Sequence, residues 1–252
     1  MATTTAPAAA PARPAPAKLP GRRYDHLFFS SMVALMLATV FIGFARTYYL
    51  AGVFHAPLPN RLIHLHGAAF SVWMLLLITQ TSLVAAGRTD LHRRLGLAGF
   101  ALGCAMIVLG VLAATDSLVR HAEQPSFAGL DPRTFYIIPI TDIVLFAVLL
   151  YLGFRNRTDS AAHKRYLLLA TTALLLAATA RWPFLRSLMV ADLLTCSFPV
   201  ILAAYDLWST RKLHRVTLWA GAALIVVHQV RVPIGNTALW HSFADAVLRL
   251  VR

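Results

Sequence analysis

The chain contains few charged residues and very few acidic ones. Of its 252 residues only 13% are Asp, Glu, Lys or Arg, whereas 58% are hydrophobic, and the mean hydropathy is +0.66. A soluble domain of this size needs more charge than that to cover its surface. The composition therefore excludes a soluble globular protein and predicts a polytopic membrane protein whose main partner is the lipid bilayer.

Cysteine and the common catalytic motifs are also scarce. The only cysteines, Cys104 and Cys196, both fall within apolar segments, so the sequence supports neither a disulfide framework nor a thiolate metal site. No H-E-x-x-H motif, G-x-S-x-G motif or glycine-rich phosphate loop occurs. We therefore assign no catalytic residue from the sequence.

The net charge of +13 does not indicate nucleic-acid binding. The Lys and Arg residues form short clusters between apolar runs instead of following one face of a domain. Such clusters are typical of topology signals and of contacts with lipid headgroups. We expect no nucleic-acid partner, and we expect anionic lipid headgroups to bind at the cytoplasmic face.

Residues 1–24 differ in composition from the rest of the chain. They are rich in Ala, Pro and Thr, and the prolines remove the donors that a helix needs. Pro7, Pro11, Pro14 and Pro16 also interrupt the apolar run that a secretory signal peptide requires. We expect residues 1–24 to form a disordered cytoplasmic tail that is retained in the mature protein.

Seven later segments approach the roughly 20 apolar residues that a membrane-spanning helix needs. They are residues 26–45, 62–86, 94–117, 135–154, 165–183, 187–208 and 214–232. The sequence therefore predicts an all-α bundle of seven transmembrane helices within residues 25–235. Residues 236–252 are too short and too charged near their middle for another span, and predict an amphipathic interfacial helix on the outer side.

The distribution of basic residues predicts that the N-terminus is cytoplasmic. With this orientation, fourteen of the 23 Lys and Arg residues lie on the cytoplasmic side, densely placed against the helix ends. These residues are Arg13, Lys18, Arg22, Arg23, Arg88, Arg93, Arg94, Arg155, Arg157, Lys164, Arg165, Arg211, Lys212 and Arg215.

A histidine accompanies the basic residues before each helix that runs outwards. His26, His92, His163 and His214 occupy these turns and would all lie at the cytoplasmic face. One interpretation is that the turns bind lipid phosphates and enforce topology. The other is that His92 and His163 are axial ligands of a haem near this face.

Polar side chains also fall within the predicted spans, towards their outer ends. His66, Trp73 and Gln80 follow one another at intervals of seven and so share one stripe of the second helix. Because unpaired polar groups are costly in lipid, this stripe should face the bundle. Other spans contribute Asp116, Asp142, Arg181, Asp192, His228, Gln229 and Arg231. We expect an outward-facing polar cavity, with Asp142 or Asp192 paired to Arg181; the alternative is a structural ion-pair network.

Three stretches carry a family resemblance. HLHGAAFSVWMLLLITQTSLVAAGRTDLHRRLG, SAAHKRYLLLATTALLLAATARWPF and LHRVTLWAGAALIVVHQVRVPIGNTALWHSFA resemble bacterial multi-pass inner-membrane proteins whose activity is not established. The likeness covers most of the chain after residue 24. It implies a location in the bacterial inner membrane and supplies no reaction.

A looser resemblance links the H-R-x-x-G turn at His92 to helical haem proteins of the cytochrome b561 and haem A synthase type. Those families place paired histidines on neighbouring helices near both membrane faces. The resemblance implies haem b, with iron between His66 and His228 on the outer side or between His92 and His163 on the inner side. No other metal is expected.

Three functions remain open from the sequence. The favoured one is a haem-binding redox protein, in which imidazoles from two helices ligate iron. The first alternative is a transporter or sensor with an outer-facing cavity for a small polar solute. The second is a structural or assembly subunit of a membrane complex, in which the polar groups fix packing. The sequence leaves the oligomeric state open.

Overall fold

The computed structural model describes residues 24–126, 128–185 and 187–251. These residues form helices and connecting turns, with no strand among them, which confirms the all-α prediction. Six of the helices are long and apolar enough to cross a membrane, as a multi-pass membrane protein requires. The tail predicted for residues 1–24 lies outside the described residues, apart from Tyr24.

The described helices follow one another with short connections. They are α1 (Asp25–Phe44), a π-helix (Ala45–Tyr49) that continues α1, α2 (Arg61–Ala85), α3 (Thr89–His121), α4 (Pro132–Arg155), α5 (Ser160–Ala173), α6 (Leu176–Thr179), α7 (Leu188–Thr210), α8 (Arg215–Gly235) and α9 (Ala238–Val251). The candidate membrane spans are α1 with the π-helix, α2, α3, α4, α7 and α8.

Side-chain caps define where several of these helices begin. Asn60 accepts a hydrogen bond from the Ile63 amide at the start of α2, and Asp131 caps α4 ahead of Pro132. Asp159 does the same for α5. Each cap satisfies amides that have no partner within the helix, so the polar residue between two apolar runs determines the helix start.

The segment predicted as one continuous span over residues 165–183 is interrupted. α5 ends at Ala173, and Leu174 and Leu175 donate to the carbonyls of Thr171 and Thr172, three residues back instead of four. The hydroxyls of Thr171 and Thr172 compete locally by bonding to carbonyls one turn earlier, which favours a bend. This part of the chain is buried, and irregular backbone at membrane depth is tolerated when protein surrounds it.

The helices pack so that four helix starts meet at one end of the bundle. The starts of α1, α3, α5 and α8 surround one cavity there, and we call this end of the molecule the basic end. At the other end α9 packs against α3, α4 and α8. An ion pair of 2.6 Å between Arg133 and Asp245 and a bond of 2.7 Å from the Trp240 indole to the Arg133 carbonyl attach α9 to α4.

Candidate functional site

The polar residues of the bundle form three separate groups. We call them the Arg231 cluster, between α4, α7 and α8; the basic cavity, at the basic end; and the Arg181 cavity, between the π-helix, α2 and the α5–α6 region. The residues that the sequence places in one outer cavity are distributed over all three, except Asp116, which belongs to none of them.

The Arg231 cluster is a buried ion-pair network. Arg231 of α8 donates to Asp142 of α4 through one terminal nitrogen, and to Asp192 of α7 through the other at 2.7 Å. His228 lies one turn before Arg231 on the same face of α8, and its Nδ1 is 2.8 Å from Asp192 Oδ1. Gln229 donates to the second Asp192 oxygen at 3.0 Å. Three helices are therefore joined by one guanidinium.

The predicted pairing of Asp142 or Asp192 with Arg181 is wrong. Arg231 occupies both carboxylates, because α8 packs directly against α4 and α7 and presents Arg231 to them. Arg181 follows α6 and lines a different cavity. Which arginine reaches a buried carboxylate depends on which helices are neighbours, and the linear sequence does not contain that information.

The Arg231 cluster also contains a set of potential metal ligands. Ligand atoms of Asp192, Cys196 and His228 lie within 4.8 Å of one another. However, Asp192 Oδ1 and His228 Nδ1 already contact the Arg231 guanidinium, at 2.7 and 3.1 Å. A cation would have to compete with a fixed positive charge, so the arrangement favours an ion-pair network over a metal site.

The basic cavity has a volume of about 800 Å³. Part of its wall is apolar and buried and includes Phe29, Val33, Met36, Leu77 and Leu168. Lys164, Arg165, Lys212 and Arg215 line it as well, together with His26, His92, His163 and His214. Lys164 is paired with Asp25, which also lines the cavity, and Arg165 is paired with Asp206, so Lys212 and Arg215 supply the positive charge that the described carboxylates leave unpaired. An apolar interior with these two cations suits an amphipathic anion of considerable size.

His92 and His163 approach each other at this cavity. Their ring centroids are 6.2 Å apart and the rings are nearly perpendicular, at 87°. His163 Nδ1 lies 2.8 Å from the Gly153 carbonyl, so Nδ1 carries a proton and donates, and in the neutral ring the lone pair is on Nε2. Gln80 accepts from the Gly96 amide at 3.0 Å and donates to His92 Nδ1 at 2.6 Å. Gln80 therefore belongs to the basic cavity instead of the predicted outer site.

A second buried ion-pair network, which was not predicted from the sequence, stabilises the basic end. Arg165 is ion-paired with Asp206, which is fully buried and also accepts from Thr217 at 2.5 Å and from the His214 amide at 3.1 Å. Asp206 had a usable signal in the sequence, because it is an acidic residue inside an apolar run. Nearby, Asp25 accepts from Lys164 at 2.6 Å.

His214 is the N-cap of α8, and the Arg165–Asp206 network affects its pKa. Its Nδ1 accepts a hydrogen bond of 3.2 Å from the Val216 amide, which requires a neutral ring. Burial lowers the pKa of His214, and the nearby Arg165 lowers it further. The structure thus favours the uncharged form of this imidazole.

The Arg181 cavity has a volume of about 340 Å³. Three residues predicted for the outer site line it, namely His66, Trp73 and Arg181. The Trp73 indole donates to the Thr171 hydroxyl at 3.2 Å, and Thr171 lines the basic cavity as well. His66 lies here and His228 lies in the Arg231 cluster, so the structure places the predicted outer histidine pair in different sites.

Asp116 lies apart from all three groups. It is partly exposed, is ion-paired with Arg120 at 2.8 Å and accepts from the Asn60 side chain at 3.3 Å. Its contacts connect the start of α2 to the end of α3, so its role is to stabilise the packing of these two helices.

Comparison with known proteins yields no assignment. No protein-family model matches the chain, and neither a curated protein nor a solved structure shows significant similarity to it.

Proposed function

We propose that the protein is a haem b-binding redox protein of the membrane, with iron held by His92 and His163 at the basic cavity. The observation that carries this proposal is the spacing of the two rings, whose centroids are 6.2 Å apart. Two imidazoles that each bonded one metal through a nitrogen about 2 Å away would have ring centres within about 6 Å of each other, so His92 and His163 would be close enough to hold it together.

The cavity suits a haem in size and charge. Its volume of about 800 Å³ is in the upper part of the range for ligand sites, roughly 300–1,000 Å³. The apolar wall matches a macrocycle, and Lys212 and Arg215 offer cations for two carboxylates. Bound there, the haem would supply one-electron transfer at a potential set by its axial ligands and surroundings.

A histidine can bind iron through Nε2 only when its proton is on Nδ1. The hydrogen-bond partner of Nδ1 therefore indicates whether each of the two histidines is ready to bind. His163 meets this requirement through its bond to the Gly153 carbonyl. At His92 the Gln80 amide currently donates to Nδ1. Ligation through Nε2 of His92 requires that amide to turn by 180°, which presents its oxygen to a protonated Nδ1 but sets its NH2 group 3.0 Å from the Gly96 amide and its oxygen 3.3 Å from the His92 carbonyl.

The same proposal includes a topology. The interrupted α5–α6 segment forms a seventh crossing, the basic end faces the cytoplasm next to anionic headgroups, and α9 lies in the outer interface. The dense basic residues at one end support the orientation, and the proposal locates the protein in the bacterial inner membrane. The separate positions of His66 and His228 give no support to an outer haem, so we propose a single haem at the basic cavity.

Absorption spectroscopy tests the proposal directly. The protein is expressed with excess haem precursor, purified in a neutral detergent and checked by gel filtration. We expect a Soret band that shifts on reduction with dithionite. The variants His92→Ala and His163→Ala should lose it, whereas His64→Ala, which changes a histidine outside the basic cavity, should keep it.

Two results would overturn the haem proposal. One is a folded, monodisperse wild-type protein that has no Soret band and gains none when haem is added. The other is a full Soret band in both the His92→Ala and the His163→Ala variants.

A further inference from the structure

We propose that the Arg181 cavity binds a small carboxylate that has an aromatic or aliphatic body. The site is separate from the basic cavity, so this inference does not depend on haem binding. Four observations support it: an arginine without a carboxylate, a histidine nitrogen without a partner, aromatic walls, and irregular backbone on two sides.

Arg181 has no anionic partner among the residues that the structure describes. Its guanidinium donates to the Ala177 carbonyl and lies 4.8 Å from the ring centre of Phe44. The buried carboxylates Asp142, Asp192 and Asp206 are all paired with other arginines. A guanidinium offers a planar fork of donors that matches a carboxylate, so an anion from outside the chain would complete this site.

His66 contributes a second unused group on the wall of the cavity. Its Nδ1 is buried and has no hydrogen-bond partner in the described part of the chain. Buried polar atoms are nearly always paired, and an exception needs an explanation. The Leu109 carbonyl bonds the other ring nitrogen, so Nδ1 of the neutral ring carries a lone pair that would accept from a ligand hydroxyl or carboxylic acid. It donates to a carboxylate oxygen only when the ring is protonated.

Aromatic side chains determine what else the ligand contains. Phe44, Tyr48, Tyr49, Phe70 and Trp73 line the cavity around the polar groups. Flat apolar walls of this kind favour a ring or a short alkyl chain. The volume of about 340 Å³ restricts the ligand to a small molecule and excludes a phospholipid.

Two irregular elements meet at this cavity. Thr47, Tyr48 and Tyr49 of the π-helix form one wall, and Leu174 and Leu175 of the α5–α6 interruption form another. π-helical turns are frequent at functional sites. Interrupted membrane helices commonly surround ligands, because irregular backbone is tolerated where it lines a cavity.

Thermal unfolding in a neutral maltoside detergent tests the proposal with defined probes. Benzoate, phenylacetate and hexanoate are titrated into the purified full-length protein, with benzyl alcohol and benzylamine as uncharged and cationic controls. We expect a saturable rise in Tm with at least one carboxylate and none with the two controls. Tryptophan fluorescence, with Trp73 in the wall, gives an independent Kd.

Arg181→Gln should weaken carboxylate binding by about 10- to 100-fold, because a charged hydrogen-bonding partner is lost. Arg120→Gln is the matched control, since Arg120 is not among the residues that line the cavity and is paired with Asp116. Arg181→Lys keeps the charge but loses the fork of donors and should bind with intermediate affinity. It serves as the test if Arg181→Gln does not fold.

The proposal fails if the folded wild-type protein binds none of the three carboxylates. It also fails if benzyl alcohol binds as tightly as benzoate, or if Arg181→Gln and Arg181→Lys both retain wild-type affinity. The Soret band of the haem-loaded protein should be the same with and without carboxylate, which separates this result from the haem test.

Discussion

Arg231 of α8 hydrogen-bonds Asp142 of α4 in the interior of the bundle, where 2% and 8% of the two side chains are exposed. The same guanidinium bonds Asp192 of α7. Two carboxylates thus share one arginine, and His228 is the only imidazole that the described structure places against them. Because two carboxylates share one guanidinium, removing the arginine should lower the stability of the folded protein more than removing one carboxylate.

Replacing Arg231 by Met should destabilise the protein strongly. The change leaves Asp142 and Asp192 buried together without a cation, and breaking a buried pair in this way costs about 3–5 kcal/mol. Asp142→Asn should cost clearly less, because Arg231 and Asp192 remain as a balanced pair and the Asn oxygen still accepts from Arg231. Thermal unfolding of both variants in one detergent measures the order. An Asp142→Asn variant less stable than Arg231→Met would contradict this charge argument.

Thr217→Val should destabilise the basic end. The Thr217 hydroxyl donates to the fully buried Asp206 at 2.5 Å, and a hydrogen bond to a charged group contributes about 1.5–3 kcal/mol. Val has nearly the same shape, so the change removes the bond and little else.

Thr141→Val is the control for that experiment. Among the described residues Thr141 bonds only to the Ile137 and Ile138 carbonyls of its own helix, so the loss of its hydroxyl should cost about 1 kcal/mol or less. Equal decreases in Tm in the two variants would show that the Thr217–Asp206 bond contributes no more to stability than the intrahelical bonds of Thr141.

The stability of the protein should fall as the pH drops below about 6.5, partly through His214. The unfolded chain takes up a proton at His214 near that value. Because the folded state lowers the pKa of His214, it takes up the same proton only at a lower pH. Between the two values the unfolded state binds more protons, so stability decreases as the pH falls through this window.

His214→Asn isolates this contribution, because Asn caps a helix start without titrating. The difference in Tm between pH 7.5 and pH 5.5 should be smaller in the variant than in the wild-type protein. An unchanged difference would mean that His214 is not responsible for the pH dependence.

Most of the helices could be predicted from the sequence because their signals are local. The predicted segment 62–86 corresponds to α2, Arg61–Ala85, since a run of apolar residues and a polar cap at Asn60 suffice to define it. The interruption between α5 and α6 could not be predicted in the same way. No Pro or Gly marks it, and the bend depends on threonine hydroxyls and on burial among the other helices.

The candidate sites depend on helix neighbours, which periodicity does not reveal. Gln80 shares a stripe with His66 and Trp73, yet the helix is long enough to place Gln80 beside His92 at the basic end. His66 and His228 also lie in different sites, because each side chain faces a different set of neighbouring helices and the sequence pattern does not show which helices are neighbours. Residue type indicated which side chains are polar and intramembrane, whereas their partners follow from the packing.

Gly43→Ala should destabilise the contact between α1 and α6. A Cβ at Gly43 would overlap the backbone carbonyl of Ala178, which cannot move aside as a flexible side chain can. Overpacking of this kind costs about 1–3 kcal/mol, more than the gain of up to about 1 kcal/mol in helix propensity. Gly221→Ala in α8 is the matched control, because its nearest contact would be an ordinary 3.4 Å to Pro199. A lower Tm for Gly43→Ala and an unchanged or higher Tm for Gly221→Ala is expected, whereas equal shifts would mean that α1 and α6 are not in close contact.

Since Ala178 lines the Arg181 cavity, Gly43→Ala should also weaken carboxylate binding there, and Gly221→Ala should not.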